Sequence, residues 1–328
     1  MKKVLLAGEP MALLMAEENG DLAEVSHFTR SISGAEVNVA IGLKRLGFDV
    51  EYVSRLGNDP FGRYIRTTLQ ENGIGTRWIT YDPVYRTGIQ LKEKVTDGHD
   101  PDAPYYRKGS AASHIAGKDI TQINLSEVAL VHVTGILPAL SESAGEAAGL
   151  LMRRAKEAGI LLTFDPNLRP ALWADEASMR KEINRLSAYA DIVLPGIGEC
   201  EILTGTGDKQ KAADFYHSMG VKTVVIKDGK KGAFVSQALT DGVLMRMDVP
   251  GFRVNRVVDT VGAGDGFAVG FLSGLLKNLS VRECVVRANA IGAIQVQHRG
   301  DNEGLPTEEQ LEQFIRNNAQ IVCPQESS

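Results

Sequence analysis

Cysteine pairs, histidine clusters and long apolar runs are what this chain lacks. Its three cysteines, Cys200, Cys284 and Cys323, are odd in number and far apart. That excludes a disulfide framework and a thiolate metal site, and fits a reducing, cytoplasmic setting. The six histidines share no metal-ligand spacing. No apolar run approaches the length of about 18 residues that a membrane span needs. Met1-Lys2-Lys3 before Val4-Leu5-Leu6 imitates a secretion signal, but Gly8, Glu9 and Pro10 break the stretch. Lys and Arg are scattered and the net charge is −5, which argues against nucleic acid or an anionic membrane as partner. The first strand leads into no G-x-G-x-x-G turn, and no G-x-x-x-x-G-K-[ST] loop occurs. A Rossmann dehydrogenase and a P-loop kinase are therefore disfavoured.

What is present is 43% hydrophobic residues over 328 positions, enough for one large α/β unit. Apolar runs at 4–7, 128–134, 160–164, 192–194 and 223–226 read as short buried strands. Amphipathic segments at 35–46, 61–72, 143–158 and 175–188 lie between them. That alternation predicts a doubly wound, mainly parallel sheet flanked by helices. Gly47, Gly73 and Gly159 stand where helices end, and Ser280 with Glu283 forms a capping box. Two stretches, 10–30 and 85–110, break the rhythm and read as antiparallel strands outside the main sheet.

The most informative run is Asp259-Thr260-Val261-Gly262-Ala263-Gly264-Asp265-Gly266. Glycines at a helix start let backbone amides approach a ligand. First-turn amides lack intrahelical partners, and the helix dipole adds to their pull on an anion. A carboxylate inside an anion hole suits a reaction in which a phosphoryl group passes and a hydroxyl loses a proton. Gly262, Gly266, Gly270 and Gly274 recur every four residues, near one helix face. The last two read as a tight helix-sheet contact.

This run resembles the D-T-x-G-A-G-D signature of the ribokinase-like, PfkB-type carbohydrate kinases, which it carries complete. Further motifs follow the family's order over nearly the whole chain, so the resemblance implies one domain over 1–328. It also implies a β-strand lid inserted at about 10–33 and 76–112, with the loop 96–101 as its tip. By resemblance Gly262, Ala263 and Gly264 form the anion hole and Asp265 is the catalytic base. Gly34-Ala35-Glu36-Val37-Asn38 resembles the sugar-binding motif. Asn38 suits that role because its amide both donates and accepts, although a helix-terminus role is the alternative. Glu36 stands where many members have a small residue, and resembles the branch that phosphorylates 2-keto-3-deoxygluconate. Tyr105, Tyr106 and Arg107 resemble the same branch, with Arg107 offering a planar fork to a carboxylate. Stacking of Arg107 on Tyr105 is the bland alternative.

In Asp165-Pro166-Asn167-Leu168-Arg169 the resemblance makes Arg169 a second contact for the acid group and turns Asn167 to the nucleotide phosphates. A plain Asp165–Arg169 pair is the alternative. Glu199 matches the glutamate of an N-x-x-E motif that helps hold Mg²⁺ through water, with Gly196 in place of the asparagine. Lys227, Gly229 and Gly232 fit the loop around the ATP phosphates. Asp259 resembles a ligand for a monovalent cation in some members, which leaves a potassium requirement open. The implied activity is ATP-dependent phosphorylation of a small sugar acid, with Mg²⁺ as cofactor. A neutral-sugar kinase of fructokinase or ribokinase type is the nearest alternative, and a non-catalytic nucleotide or sugar sensor the next. Lid strands often carry dimer contacts in this family, so the resemblance also raises a homo-oligomer.

Overall fold

The computed structural model describes residues 3–95, 102–240 and 242–318. Thirteen strands form within them: β1 (Lys3–Ala7), β2 (Met11–Ala16), β3 (Phe28–Ser33), β4 (Val50–Gly57), β5 (Gly75–Asp82), β6 (Ile89–Lys92), β7 (Tyr105–Tyr106), β8 (Val128–Thr134), β9 (Leu161–Asp165), β10 (Ile192–Val193), β11 (Thr223–Lys227), β12 (Ala233–Ala238) and β13 (Leu244–Val249). The α-helices are α1 (Ala35–Arg45), α2 (Pro60–Glu71), α3 (Gly117–Thr121), α4 (Ile136–Ala139), α5 (Glu142–Glu157), α6 (Glu176–Ser187), α7 (Ile197–Thr204), α8 (Lys209–Ser218), α9 (Ala263–Leu276), α10 (Val281–Gln295) and α11 (Glu308–Asn317). No described helix is long and apolar enough to cross a membrane.

Nine strands make the main sheet in the order β13-β12-β11-β10-β9-β8-β1-β4-β5. It is parallel from β11 to β5, and β12 and β13 add antiparallel at one edge. Alternation along each strand splits the core between the two faces. Val4 and Leu6 belong to one cluster with α1, α2, α9, α10 and α11. Leu5 and Ala7 belong to the other, with α5, α6, α7 and α8. Buried on both sides, β1, β8, β9, β10 and β11 read as apolar runs, which is why they were legible; β4, with Glu51, Ser54 and Arg55 in its sequence, was not read although it is largely buried.

The second sheet is the lid, in the order β3-β2-β6-β7. It departs from the expectation in two ways. Its central pair, β2 and β6, is parallel, not antiparallel. Strands β2 and β3 are consecutive and pair antiparallel, but α1, β4, α2 and β5 intervene before β6, and such a crossover brings the chain back in the same direction. Second, Gly75–Asp82 pairs with β4 as the edge of the main sheet. The lid strands of the 76–112 stretch therefore begin only at Ile89. The expected lid tip, 96–101, lies outside the described residues.

Helix α9 is fixed by close packing. A Cβ on Gly270 would lie 2.5 Å from Ala288 Cα and from the Arg287 carbonyl, and one on Gly274 would lie 2.7 Å from Cys284 Sγ. These glycines make a helix-helix seam with α10, where the sequence suggested a helix-sheet contact. Arg287 locks the seam: its Nε donates to Ser273 Oγ at 3.0 Å, and its two terminal nitrogens donate to Glu308 at 2.9 and 2.8 Å. A bidentate charged pair of this kind fixes geometry as well as adding energy.

Candidate active site

The site forms at the carboxyl ends of the parallel strands. Thr134, Asp165 and Lys227 are the last residues of β8, β9 and β11. Strand order reverses at β1, whose neighbours are β4 on one side and β8 on the other. Crevices at such a switch point are where open α/β sheets bind ligands.

Two chambers meet there. The first, about 440 Å³, is lined by Gly34, Ala35, Asn38, Tyr105, Arg107, Asp165, Asn167, Arg169, Glu199, Lys227, Gly262, Gly264 and Asp265, with Gln90 and Asp301. The second, about 430 Å³, is mostly apolar, with Phe252, Val254, Val257, Phe267, Ala293 and Val296 in its wall beside Gly229, Gly232 and Ala263. Lys227, Thr260 and Gly264 line both. A polar chamber and an apolar one thus join at the first turn of α9.

That turn is built as the sequence suggested. Gly262 has φ 76° and caps the helix. A Cβ there would sit 2.2 Å from the Asp301 carbonyl oxygen, so only glycine fits. Gly266 N is the first to bond four residues back, to the Gly262 carbonyl at 2.8 Å, and Ala263 N reaches Thr260 O at 3.3 Å. The Gly264 and Asp265 amides have no carbonyl of the helix to reach. Gly264 is exposed, and a Cβ on it would meet nothing within 4 Å.

Asp265 stands at the rim of the polar chamber. Asn38 Nδ2 donates to its Oδ2 at 2.8 Å, and Asn302 Nδ2 donates to Asn38 Oδ1 at 3.2 Å. This chain fixes Asn38 and, through it, one oxygen of Asp265. Burial pushes the Asp265 carboxyl up to about 7. The Asn38 bond opposes that shift, and the neighbouring Asp165 charge adds to it. A carboxyl titrating there is a proton acceptor matched to neutral pH.

The cationic side is Lys227. Its Nζ donates to Asp165 Oδ2 at 2.6 Å. The Asp165–Arg169 pair is not formed; Arg169 is exposed and donates to the Leu168 carbonyl at 2.9 Å. Burial disfavours the Lys227 charge, but Asp165 and Glu199 outweigh it and raise the lysine's pKa. Asn167 adopts a left-handed φ of 38° beside them. Glu199 caps α7 by reaching back to Gly196 N at 2.6 Å, and also accepts from Leu168 N at 2.7 Å. Backbone amides therefore hold Glu199 without a side chain at position 196. Burial raises its carboxyl above the ordinary range.

Other expected residues lie differently. Glu36 and Val37 are buried and do not line the chamber. Glu36 accepts from Thr134 Oγ1 at 2.5 Å and packs where a Cβ on Gly8 would be; burial pushes it to about 7. Tyr106 is exposed and does not line the chamber either. Arg107 does line it, but its Nε donates to Glu9 Oε2 at 2.7 Å, and Ser110 also donates to Glu9. Its guanidinium also lies 5.6 Å from the Tyr105 ring centroid. Asp259 carries a lysine: Lys92 Nζ is 2.9 Å from Asp259 Oδ2 and 2.9 Å from Asp301 Oδ1. The sequence reading missed Glu9, Lys92, Asp301 and Asn302. For Lys92 a signal existed, since β6 reads Ile-Gln-Leu-Lys and buries the polar pair.

The pfkB family carbohydrate kinase description matches residues 1–308. A 2-dehydro-3-deoxygluconokinase of Bacillus subtilis is 46% identical over 94% of this chain and 94% of its own length. Fructokinase-1 of Zea mays is 32% identical over 90% of this chain and 91% of its own. Among solved structures, the PfkB protein of a Polaromonas species superposes with a TM-score of 0.85 at 42% identity, covering 95% of this chain and 99% of the other. A match over nearly the whole length, with the Gly262–Asp265 turn intact where two chambers join, means that this chain belongs to the pfkB family of carbohydrate kinases.

Proposed function

We propose that the chain transfers the γ-phosphoryl group of ATP to the terminal primary hydroxyl of 2-keto-3-deoxygluconate, giving 2-keto-3-deoxy-6-phosphogluconate and ADP. The junction of the two chambers at the start of α9 carries this reading. An apolar chamber suits a nucleobase, and a polar one a sugar. The atoms that react would then meet beside Asp265. The 46% identity to a 2-dehydro-3-deoxygluconokinase supports the choice of sugar acid.

In this mechanism Asp265 takes the proton of the acceptor hydroxyl as its oxygen attacks the γ-phosphorus. Asn38 holds the carboxylate in line. The Gly264 and Asp265 amides and the α9 dipole face the charge on the transferring group, a preorganised form of stabilisation. Lys227 supplies positive charge common to both chambers. Closure of the lid excludes water and suppresses loss of ATP to hydrolysis.

The residues fit magnesium held through water. No group of three or more His, Cys, Asp or Glu among the described residues can grip a metal directly. Glu199 already accepts two backbone amides and Asp165 accepts Lys227, yet both carboxylates line the polar chamber with capacity for an outer-shell water. Glu199, Asp165 and Asn167 would hold the hydrated ion, which neutralises charge on the phosphate oxygens.

For the acid group, Arg169 is the better-placed cation, because Glu9 neutralises Arg107. That same pairing is what favours the second reading, a neutral-sugar kinase. A substrate panel separates the two. With 2-keto-3-deoxygluconate, Arg169→Ala is expected to raise KM by roughly 10–100-fold, the loss of a hydrogen bond to a charged group. Fructose and ribose are expected to be poor substrates for wild type. Equal kcat/KM on fructose, or indifference of the acid's KM to Arg169→Ala, contradicts the sugar-acid reading.

A further inference from the structure

The monovalent-cation role that the sequence suggested for Asp259 does not fit the residues present. Asp259 and Asp301 flank the phosphate-binding turn. Asp259 Oδ1 accepts from Val261 N at 2.9 Å, inside the turn, and its Oδ2 accepts from Gly300 N at 3.4 Å. The Asp301 carbonyl packs where a Cβ on Gly262 would be. The backbone ties the same segments together, with Val258 N donating to Val296 O at 2.7 Å. Two carboxylates so close need a cation between them. That cation is already there: Lys92 Nζ lies 2.9 Å from each, and the three side chains are 6%, 9% and 7% exposed. A free ion beside the ammonium would meet its repulsion with both carboxylates already engaged.

We infer that Lys92 is a tethered monovalent cation for the phosphate-binding turn, occupying the ground between Asp259 and Asp301 so that this enzyme needs no potassium. An ammonium group carries the same single charge as K⁺ and is bound by the same oxygen ligands. Here it arrives covalently attached to β6 of the lid, so it also pins the lid sheet to the turn. Lys92 is a positioning residue: it lines neither chamber and acts through Asp259 and Asp301 on the amides of Gly264 and Asp265. A displaced turn matters because misplacement by about 1 Å can cost on the order of 10²-fold in rate.

The test compares wild type with Lys92→Met in tetramethylammonium buffer, with and without added K⁺ or NH₄⁺. Wild type is expected to give the same kcat and the same Tm in all three. Lys92→Met is expected to lose roughly tenfold or more in kcat without the small ions. K⁺ or NH₄⁺ should restore part of that loss and raise the variant's Tm, because an ion that binds only the folded state stabilises it. The Tm arm uses no substrate, so it stands even if the sugar or the kinase reading fails; only the kcat arm rests on that reading. Dependence of wild-type kcat or Tm on K⁺ overturns the inference, and that arm needs no variant to fold. A folded Lys92→Met, or Lys92→Gln in its place, whose Tm ignores both ions overturns it equally.

Discussion

Replacing Asp265 by Asn leaves a folded protein that has lost roughly 10²–10⁴ in kcat, the usual contribution of a positioned base. Asn keeps the shape and can still accept from Asn38, so the geometry around the turn survives while the proton acceptor is gone. Steady-state kinetics beside far-UV circular dichroism separate the two effects. The pH dependence follows from the same group. Its carboxyl titrates at about 7 because burial disfavours its charge. The base form grows with pH, so kcat/KM should rise through about 7 in wild type and then level off. The Asp265→Asn variant has no such group, and the limb should vanish with it. Stability moves the other way. The folded pKa lies above the unfolded carboxylate value near 3.9, so this group's contribution to stability falls as pH rises from about 4 and the loss is complete above about 7. The same variant is therefore expected to melt at or above the wild-type temperature there.

Lys227→Met should be the most destabilising single change at the site, by about 3–5 kcal/mol, as when one partner of a buried ion pair is removed. Lys227 faces Asp165 at 2.6 Å, and the two side chains are 18% and 4% exposed. Without the ammonium, the buried Asp165 side chain loses the cation it faces at 2.6 Å, and Glu199 stands close enough for the two carboxyls to repel. Water entering the open chambers moderates the loss, which points to the lower end of the range. Urea denaturation measures it as a lower midpoint with an unchanged slope. Turnover should fall as well, since this ammonium is the positive charge common to both chambers. An unchanged midpoint would mean that the Asp165–Lys227 pair contributes nothing to folding.

The parts that were legible in the sequence are local ones. The strands β1, β8, β9, β10 and β11 announce themselves as apolar runs, and α9 opens on glycines whose backbone demands are local. Gly262 and Asp265 are neighbours in the chain, so their joint chemistry was visible. Asn38 was legible as a binding residue, but its partner Asp265 lies 227 positions away, and spacing cannot report that. The same holds for Glu9, which meets Arg107 across 98 positions and changes what that arginine can do. Lys92 carried a faint mark, because in β6 the polar residues are buried and the apolar ones half-buried. Inverted alternation in so short a strand has no weight until the opposing carboxylates are known. The parallel β2–β6 pairing depends on how far the chain travels between them, which local pattern does not encode.

The most direct test of the account is a crystal structure with 2-keto-3-deoxygluconate and a non-hydrolysable ATP analogue bound together. The account expects the base in the apolar chamber by Phe252 and Phe267, the γ-phosphate against the Gly264 and Asp265 amides, and the terminal hydroxyl within hydrogen-bonding distance of an Asp265 carboxylate oxygen. A γ-phosphate bound away from that turn, or an acceptor hydroxyl out of reach of Asp265, would contradict it.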